Sequence, residues 1–506
     1  MGFGIWDLGL QTGSIKNVEM KIFYINIILC FLISCPLIGF AQGGLDTLSL
    51  ERLIEMAKDR SIFSEAAKFE LKSAHFNFSI YKSGLKPQIN GTAKLPNYAK
   101  TSREIEQPDG TVLFQPVTNN NSSIGIQAIQ NITKTGGAVF LESNLQRFDN
   151  FESNESFYNG SPIRLGIFQP LFGFNEFKWD KKLAPMKLRE AEKKYSADME
   201  EINLDASELF FNLLIANEDL NIAISNKEGN QSLFDIAQER YDLGKISQND
   251  LMALRLELIS ATRNKKRAEQ AVQFASSKLY TFLGLDYDGQ MIVPQIPKIK
   301  EGIAVDAAFA LQQALKNRYE IDAQTRTLLE AERDIAEVKG NGGFNADLTA
   351  SVGLARGSIN LEDVYTDPKQ EQFVTLSLNI PIVDWGRQKS EVNLSKAKRD
   401  FIQKQISQDR LALETNIRQV VRQYQNLQEE LKLVEEFKTV AQERFEITKK
   451  SYLLSAISIT ELTLAHREKD QAVREYISTL GLFWTNYFTL QLMTVYDFEK
   501  REIIKY

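Results

Sequence analysis

Two carboxylates, Asp250 and Glu461, occupy matching places in this 506-residue chain, each just past a turn containing Tyr and Ser. At a helix N-terminus a carboxylate simply meets the dipole favourably. Catalysis has little to work with. The only histidines are His75 and His466, both within helical patterns, where a lone histidine is usually structural. There is no Gly-rich phosphate loop, no metal-ligand spacing and no nucleophile motif. The expectation is no enzyme and no cofactor. A net charge of −6 gives no basic stripe for nucleic acid. Charge runs such as Lys181-Lys182 and Glu429-Glu430 read as solvated helix faces.

One apolar run stands near the start, residues 22–40, after Lys16 and Lys21 and ahead of Ala41. It reads as a secretory signal over 1–41, cut before Gln42, with Met20 giving a more ordinary signal length. A single membrane anchor is the alternative, against which Pro36 and the missing cationic stop both count. Both cysteines, Cys30 and Cys35, lie inside the run. Cleavage leaves a mature chain without cysteine. Leu32-Ile33-Ser34-Cys35 also resembles a loose lipoprotein box, which would put lipid on Cys35.

The elements that must position the two carboxylates repeat. Pro170 and Pro381 are 211 positions apart, as are Tyr241 and Tyr452. Between them runs a seam with alternating steps of four and three: Ile202, Ala206, Leu209, Leu213, Ala216, Leu220 and Ala223. It returns 211 positions later as Leu413, Ile417, Val420, Tyr424, Leu427, Leu431 and Val434. This is the a/d pattern of a coiled coil. Lys227 and Lys438 interrupt the seam at the same place in each copy. A helix of about 65 residues spans on the order of 100 Å at 1.5 Å per residue, a length no compact domain needs.

A two-residue period precedes each long helix. Ala346, Leu348, Ala350, Val352 and Leu354 form one apolar face, and Val374, Leu376, Leu378 and Ile380 another. That length and alternation suit transmembrane barrel strands, lipid on one face and a wet lumen on the other. A soluble sandwich strand would read the same way. The first half carries Ile89, Gly91, Ala93 and Leu95, then Ile163, Leu165 and Ile167. Between them lies an inserted hairpin at about 120–148, with runs around Ile124–Gln130 and Val139–Leu145 joined by Thr135-Gly136-Gly137. It either widens the sheet or packs outside it. Helices at 48–84 and 305–339 precede the strands. The domain reading is a first repeat at 42–290, a linker at 291–304 with Pro294 and Pro297, and a second repeat at 305–506. The fold class is mixed α and β: transmembrane β-barrel strands plus long antiparallel coiled-coil helices forming an α-helical barrel, in two internal repeats.

At this point the chain resembles the TolC-like outer-membrane efflux and secretion channel family. The resemblance rests on Leu48-Ser49-Leu50-Glu51 opening a helix, Gln169-Pro170-Leu171-Phe172, the stretch Asn379 to Arg387, and the turn Tyr241 to Ser247. It implies a homotrimer, a β-barrel in outer-membrane lipid with typically four strands per subunit, and a periplasmic helical tunnel. It implies a periplasmic adaptor (membrane fusion) protein and an inner-membrane pump, proton-driven or of the ABC type. The resulting expectation is a passive conduit of a tripartite efflux or type I secretion system. A periplasmic coiled-coil adaptor or scaffold without its own channel is the alternative. Tyr241, Leu243, Gly244, Ile246 and Ser247, with Leu454, Ser455, Ile457 and Ser458, are the expected adaptor contact, since Leu and Ile exposed at a tip otherwise serve nothing. Asn249, Asp250, Tyr452 and Glu461 are the expected periplasmic gate. The family's second inner acidic position falls on Leu464. Trp179 and Trp385 flank the strand-to-helix junctions, as interfacial anchors or core contacts.

Overall fold

The computed structural model describes residues 47–289, 292–298, 303–454 and 456–506. The expected leader at 1–41, Ser455 and part of the 291–304 linker lie outside the described residues. The chain begins with β1 (Thr47–Leu48), α1 (Leu50–Arg60) and α2 (Ile62–Gly84). Ser49 caps α1 by accepting from the Arg52 N–H at 3.2 Å. The single helix expected at 48–84 is therefore two. Ser61 is extended (φ −61°, ψ 139°), closes α1 and caps α2 at the Phe63 N–H. Its counterpart at 305–339 is likewise two, α5 (Ala307–Asn317) and α6 (Tyr319–Asn341), broken at Arg318. Periodicity does not register a one-residue break that leaves the apolar faces on both sides intact.

After α2 come β2 (Gln88–Lys94), β3 (Tyr98–Glu106), β4 (Val112–Ile132), β5 (Gly137–Asn150) and β6 (Glu155–Pro170), then α3 (Glu176–Asp242) and α4 (Gln248–Phe282). The linker holds β7 (Val293–Pro294), which pairs in parallel with β1. The second repeat adds β8 (Asn345–Ser358), α7 (Leu361–Thr366), β9 (Lys369–Asn379), α8 (Arg387–Leu453) and α9 (Ile459–Thr494). β10 (Tyr496–Asp497) and β11 (Glu502–Ile503) form a small closing hairpin.

The repeat is precise. α3 and α8 are both 67 residues long, and their first and last residues are 211 positions apart. Ahead of the sheet the offset is larger: α2 and α6 end, and β2 and β8 start, 257 positions apart. The difference of 46 residues is the inserted hairpin. It lies inside the sheet, not outside it. The strand order is β2-β4-β5-β6-β8-β9, with β3 also on β4, and every pairing is antiparallel. β2 and β3 take successive stretches of the same β4 edge. One chain thus supplies six strand positions, which corrects the four per subunit that the resemblance implied.

The core sits where the long helices meet the shorter ones. Ile202, Ala206, Leu213, Ala216 and Ala223 of the first seam are buried, as are Ile417, Tyr424, Leu427, Leu431 and Val434 of the second. Phe210, Phe211 and Leu214 are buried as well, because α3 packs against α1, α2, α4, α6 and α9. Lys438, the interruption in the second seam, lies 3.6 Å from the Tyr476 ring centroid, so its charge is met by a ring face.

Within this core Glu200 is buried. It accepts from the Asn203 side-chain amide at 3.0 Å and from the Tyr506 hydroxyl, while Oε2 has no partner. Burial pushes its carboxyl above the ordinary range, against the pull of Tyr506 and Lys58. A raised folded-state pKa contributes stability below the ordinary carboxylate pKa, and that stability is lost as pH rises through the folded value. Glu200→Gln, which mimics the protonated form, should therefore raise the melting midpoint at pH 8 and flatten its pH dependence between 5 and 8. A variant that melts below wild type at pH 8 would contradict this.

Candidate functional site

Two places carry the functional geometry: the faces of the sheet and the tips of the helix pairs. The register sorts the sheet residues cleanly. Ile89, Ala128, Leu141, Leu165 and Val352 stand opposite one another across five strands. Val139, Ile167, Ala350 and Val374 form a second such row on the same face. These side chains cover nothing within the chain: Ile89 is 70% exposed and Val374 77%. From Ala346, which is buried, to Leu354 along β8 this face carries only Ala, Leu and Val, a strand length of about 26 Å at ~3.3 Å per residue, about that of the ~9–11-residue tilted strand that crosses a bilayer. Beyond the band the same face turns polar. Arg147 and Ser156 both bond Asp149, at 2.8 and 2.7 Å, and Asn120 joins them at 2.9 Å. Charged groups bonded in this way suit water, not hydrocarbon. Among the described residues no helix is long and apolar enough to cross a membrane.

The intervening rows face the other way and carry charge. Asn90, Gln127, Glu142, Arg164, Gly353 and Glu371 form one line across all six strand positions. Arg164 bridges two carboxylates, Glu142 at 3.1 Å and Glu371 at 2.6 Å, and its guanidinium also lies 5.6 Å from the Phe373 ring centroid. To reach Glu371 it crosses Gly353, where an added Cβ would lie 2.6 Å from the Ile163 carbonyl and 3.0 Å from the Arg164 Cβ. Sequence alternation placed these residues on the polar face, but a partner 207 residues away has no signature along the chain.

The tips are helical hairpins of one design. In the first, Gly244 has φ +64°, a left-handed conformation that favours glycine. The Lys245 N–H bonds the Arg240 carbonyl at 2.8 Å, and 211 positions on the Ala456 N–H bonds that of Ser451 at 3.0 Å. Leu243 and Leu454, equivalent in the repeat, are 69% and 81% exposed. Tyr241 is exposed and Tyr452 half-buried, Ile246 and Ile457 are half-buried, and Ser247 and Ser458 are exposed N-caps.

Asn249, Asp250 and Glu461 are exposed at the first turns of α4 and α9. Asp250 closes a capping box: it accepts from the Ser247 N–H at 3.2 Å and hydroxyl at 2.7 Å, while Ser247 accepts from the Asp250 N–H at 3.1 Å. Glu461 offers its N–H to Ser458 at 3.3 Å. The box fixes the Asp250 carboxylate in the first turn of α4, and Glu461 holds the equivalent position on α9, where Leu464 is also exposed. Asp219–Arg474 at 2.6 Å and Asn226–Asp470 at 2.8 Å tie α3 to α9 and so hold the two hairpins side by side. His466 stacks on Phe445 at 4.8 Å, and burial lowers its pKa, as suits a packed histidine. At the strand-to-helix junctions Trp385 is 96% exposed, so within one chain it makes no core contact. Trp179 is half-buried, with Lys182 over its ring.

Solved outer-membrane proteins share this architecture. The CmeC outer membrane channel of Campylobacter jejuni superposes with a TM-score of 0.65 at 15% identity, over 89% of this chain and 88% of that one. VceC of Vibrio cholerae gives 0.62 at 13%, over 88% and 95%. The open state of the Neisseria gonorrhoeae MtrE channel gives 0.60 at 14%, over 88% of each chain. Among curated proteins none matches the chain. The model of the outer membrane efflux protein family matches residues 53–285 and 310–493, most of each of the two repeats; the chain belongs to that family.

Proposed function

We propose that this chain is the outer-membrane exit duct of a tripartite efflux or type I secretion system, a passive trimeric conduit from periplasm to exterior. One observation carries the reading: a six-position sheet with an exposed aliphatic face whose strands are long enough to cross a bilayer, a charged opposite face, and long helix pairs leaving its lower end. A periplasmic scaffold gives no reason for exposed isoleucine, leucine and valine in continuous rows. In the conduit those rows meet lipid, and the Glu142–Arg164–Glu371 bridge faces water. Three copies then supply a closed wall, and the helix pairs cross the periplasm.

The tips, led by Leu243 and Leu454, meet a periplasmic adaptor. An inner-membrane pump, proton-driven or ABC type, supplies energy and selection. Asn249, Asp250, Tyr452 and Glu461 form the resting gate, with the capping box fixing where the Asp250 carboxylate points. The experiment is purification with and without detergent, followed by mass measurement and heated gel electrophoresis. A detergent-dependent, heat-resistant trimer is expected. A detergent-free soluble oligomer would return the chain to the scaffold reading.

A further inference from the structure

The inserted hairpin changes what kind of barrel three copies can build. β2 and β9 are the outer strands of the sheet, and both are exposed along nearly their whole length. Each leaves one row of backbone N–H and C=O groups unpaired. Such edges are untenable in hydrocarbon, so they must be paired. Five successive antiparallel pairings separate β2 from β9, so the two run in opposite directions. The β2 of a second copy laid beside β9 continues the antiparallel ladder, and their alternating faces continue the apolar and polar rows.

Resting on the trimeric channel reading, we propose that three copies close an eighteen-position barrel, β9 of each against β2 of the next, with the hairpin strands β4 and β5 as full staves of the wall. At a spacing of ~4.8 Å and a tilt of ~40°, eighteen positions give a backbone diameter of about 36 Å, against about 24 Å for twelve. The helices favour the wider ring. The helices that lead into and out of the sheet are α2, α3, α6 and α8, four per copy. Twelve helices spaced ~8–10 Å apart span roughly 96–120 Å of circumference, eighteen strands about 113 Å and twelve strands only about 75 Å. The lumen cross-section is then about twice that of a twelve-strand barrel, so the constriction belongs to the helices.

The test is pulsed electron-spin distance measurement on detergent-solubilised protein, in a Cys30→Ser/Cys35→Ser background. Thr375→Cys and Val374→Cys are labelled in separate samples. They are adjacent, on opposite faces of β9, and both exposed, so the average of their two distances reads the backbone circle. Eighteen positions predict an average copy-to-copy distance of about 31 Å, twelve about 21 Å. A value near the shorter distance in a protein of trimeric mass overturns the wide barrel and leaves the channel reading standing. A monomeric mass with no fixed distance overturns both.

Discussion

Leu376→Arg should remove the protein from the outer-membrane fraction, whereas Thr375→Arg should leave it there. The two residues are neighbours on β9 and point to opposite faces. Leu376 pairs with Leu348 on the aliphatic face, and Thr375 with Thr349 on the other. An arginine on the lipid face near the bilayer midplane costs ~2–4 kcal/mol per copy, hence roughly 6–12 kcal/mol for three, as much as the whole stability of a typical domain. On the water-filled face the same side chain stays hydrated. Quantifying both variants in membrane fractions and as heat-resistant oligomer checks the assignment of faces. Loss of the Thr375 variant alone would mean that lipid lies on the other side, and equal loss would contradict any difference between the faces.

Phe483→Ala should cost ~3–5 kcal/mol, the range for removing a fully buried phenylalanine. Phe483 is 1% exposed and lies between Tyr424 of α8, at 5.4 Å, and Trp484, at 5.8 Å. Two residues before it, Gly481 lets α9 approach Phe211 of α3: an added Cβ would meet that ring's atoms at 3.2 Å. This is the layer where the two repeats pack on each other, so a cavity there loosens both hairpins together. Exposed Ser478→Ala on the same helix should stay within about 0.5 kcal/mol. Denaturant unfolding followed by near-ultraviolet circular dichroism separates the two. A loss below about 1 kcal/mol for Phe483→Ala would mean that the layer is not the shared core.

Legibility in the sequence tracked how local each pattern was. The 67-residue helices were readable because a four-three seam sustained over many turns has no other explanation, and the 211-residue offset gave both ends at once. The strands within the apolar band were readable for the same reason. β3 was not: Tyr98 to Glu106 pairs with β4 beyond the band, where both faces are wet and nothing enforces alternation. β4 and β5 were seen only in part, as the stretches that cross the band. Whether they lay in the sheet depended on partners such as Ile89 for Ala128 and Leu165 for Leu141, set by pairing between distant segments. The small hairpin of β10 and β11 has two residues per strand and no period to detect. At the tips, residue types gave the turn and its symmetry. The capping box shows that the first carboxylate, Asp250, already has a structural task, which the proposed gate would share.

On the proposed function, this chain forms a conducting pore closed at its helical end by the carboxylates of Asp250 and Glu461. Single-channel recording in a planar bilayer tests it most directly, with wild type beside Asp250→Ala/Glu461→Ala. Wild type should give a small, cation-selective conductance, and the double variant a larger one with weaker selectivity. A properly folded, membrane-inserted protein that passes no current in either form would contradict the claim.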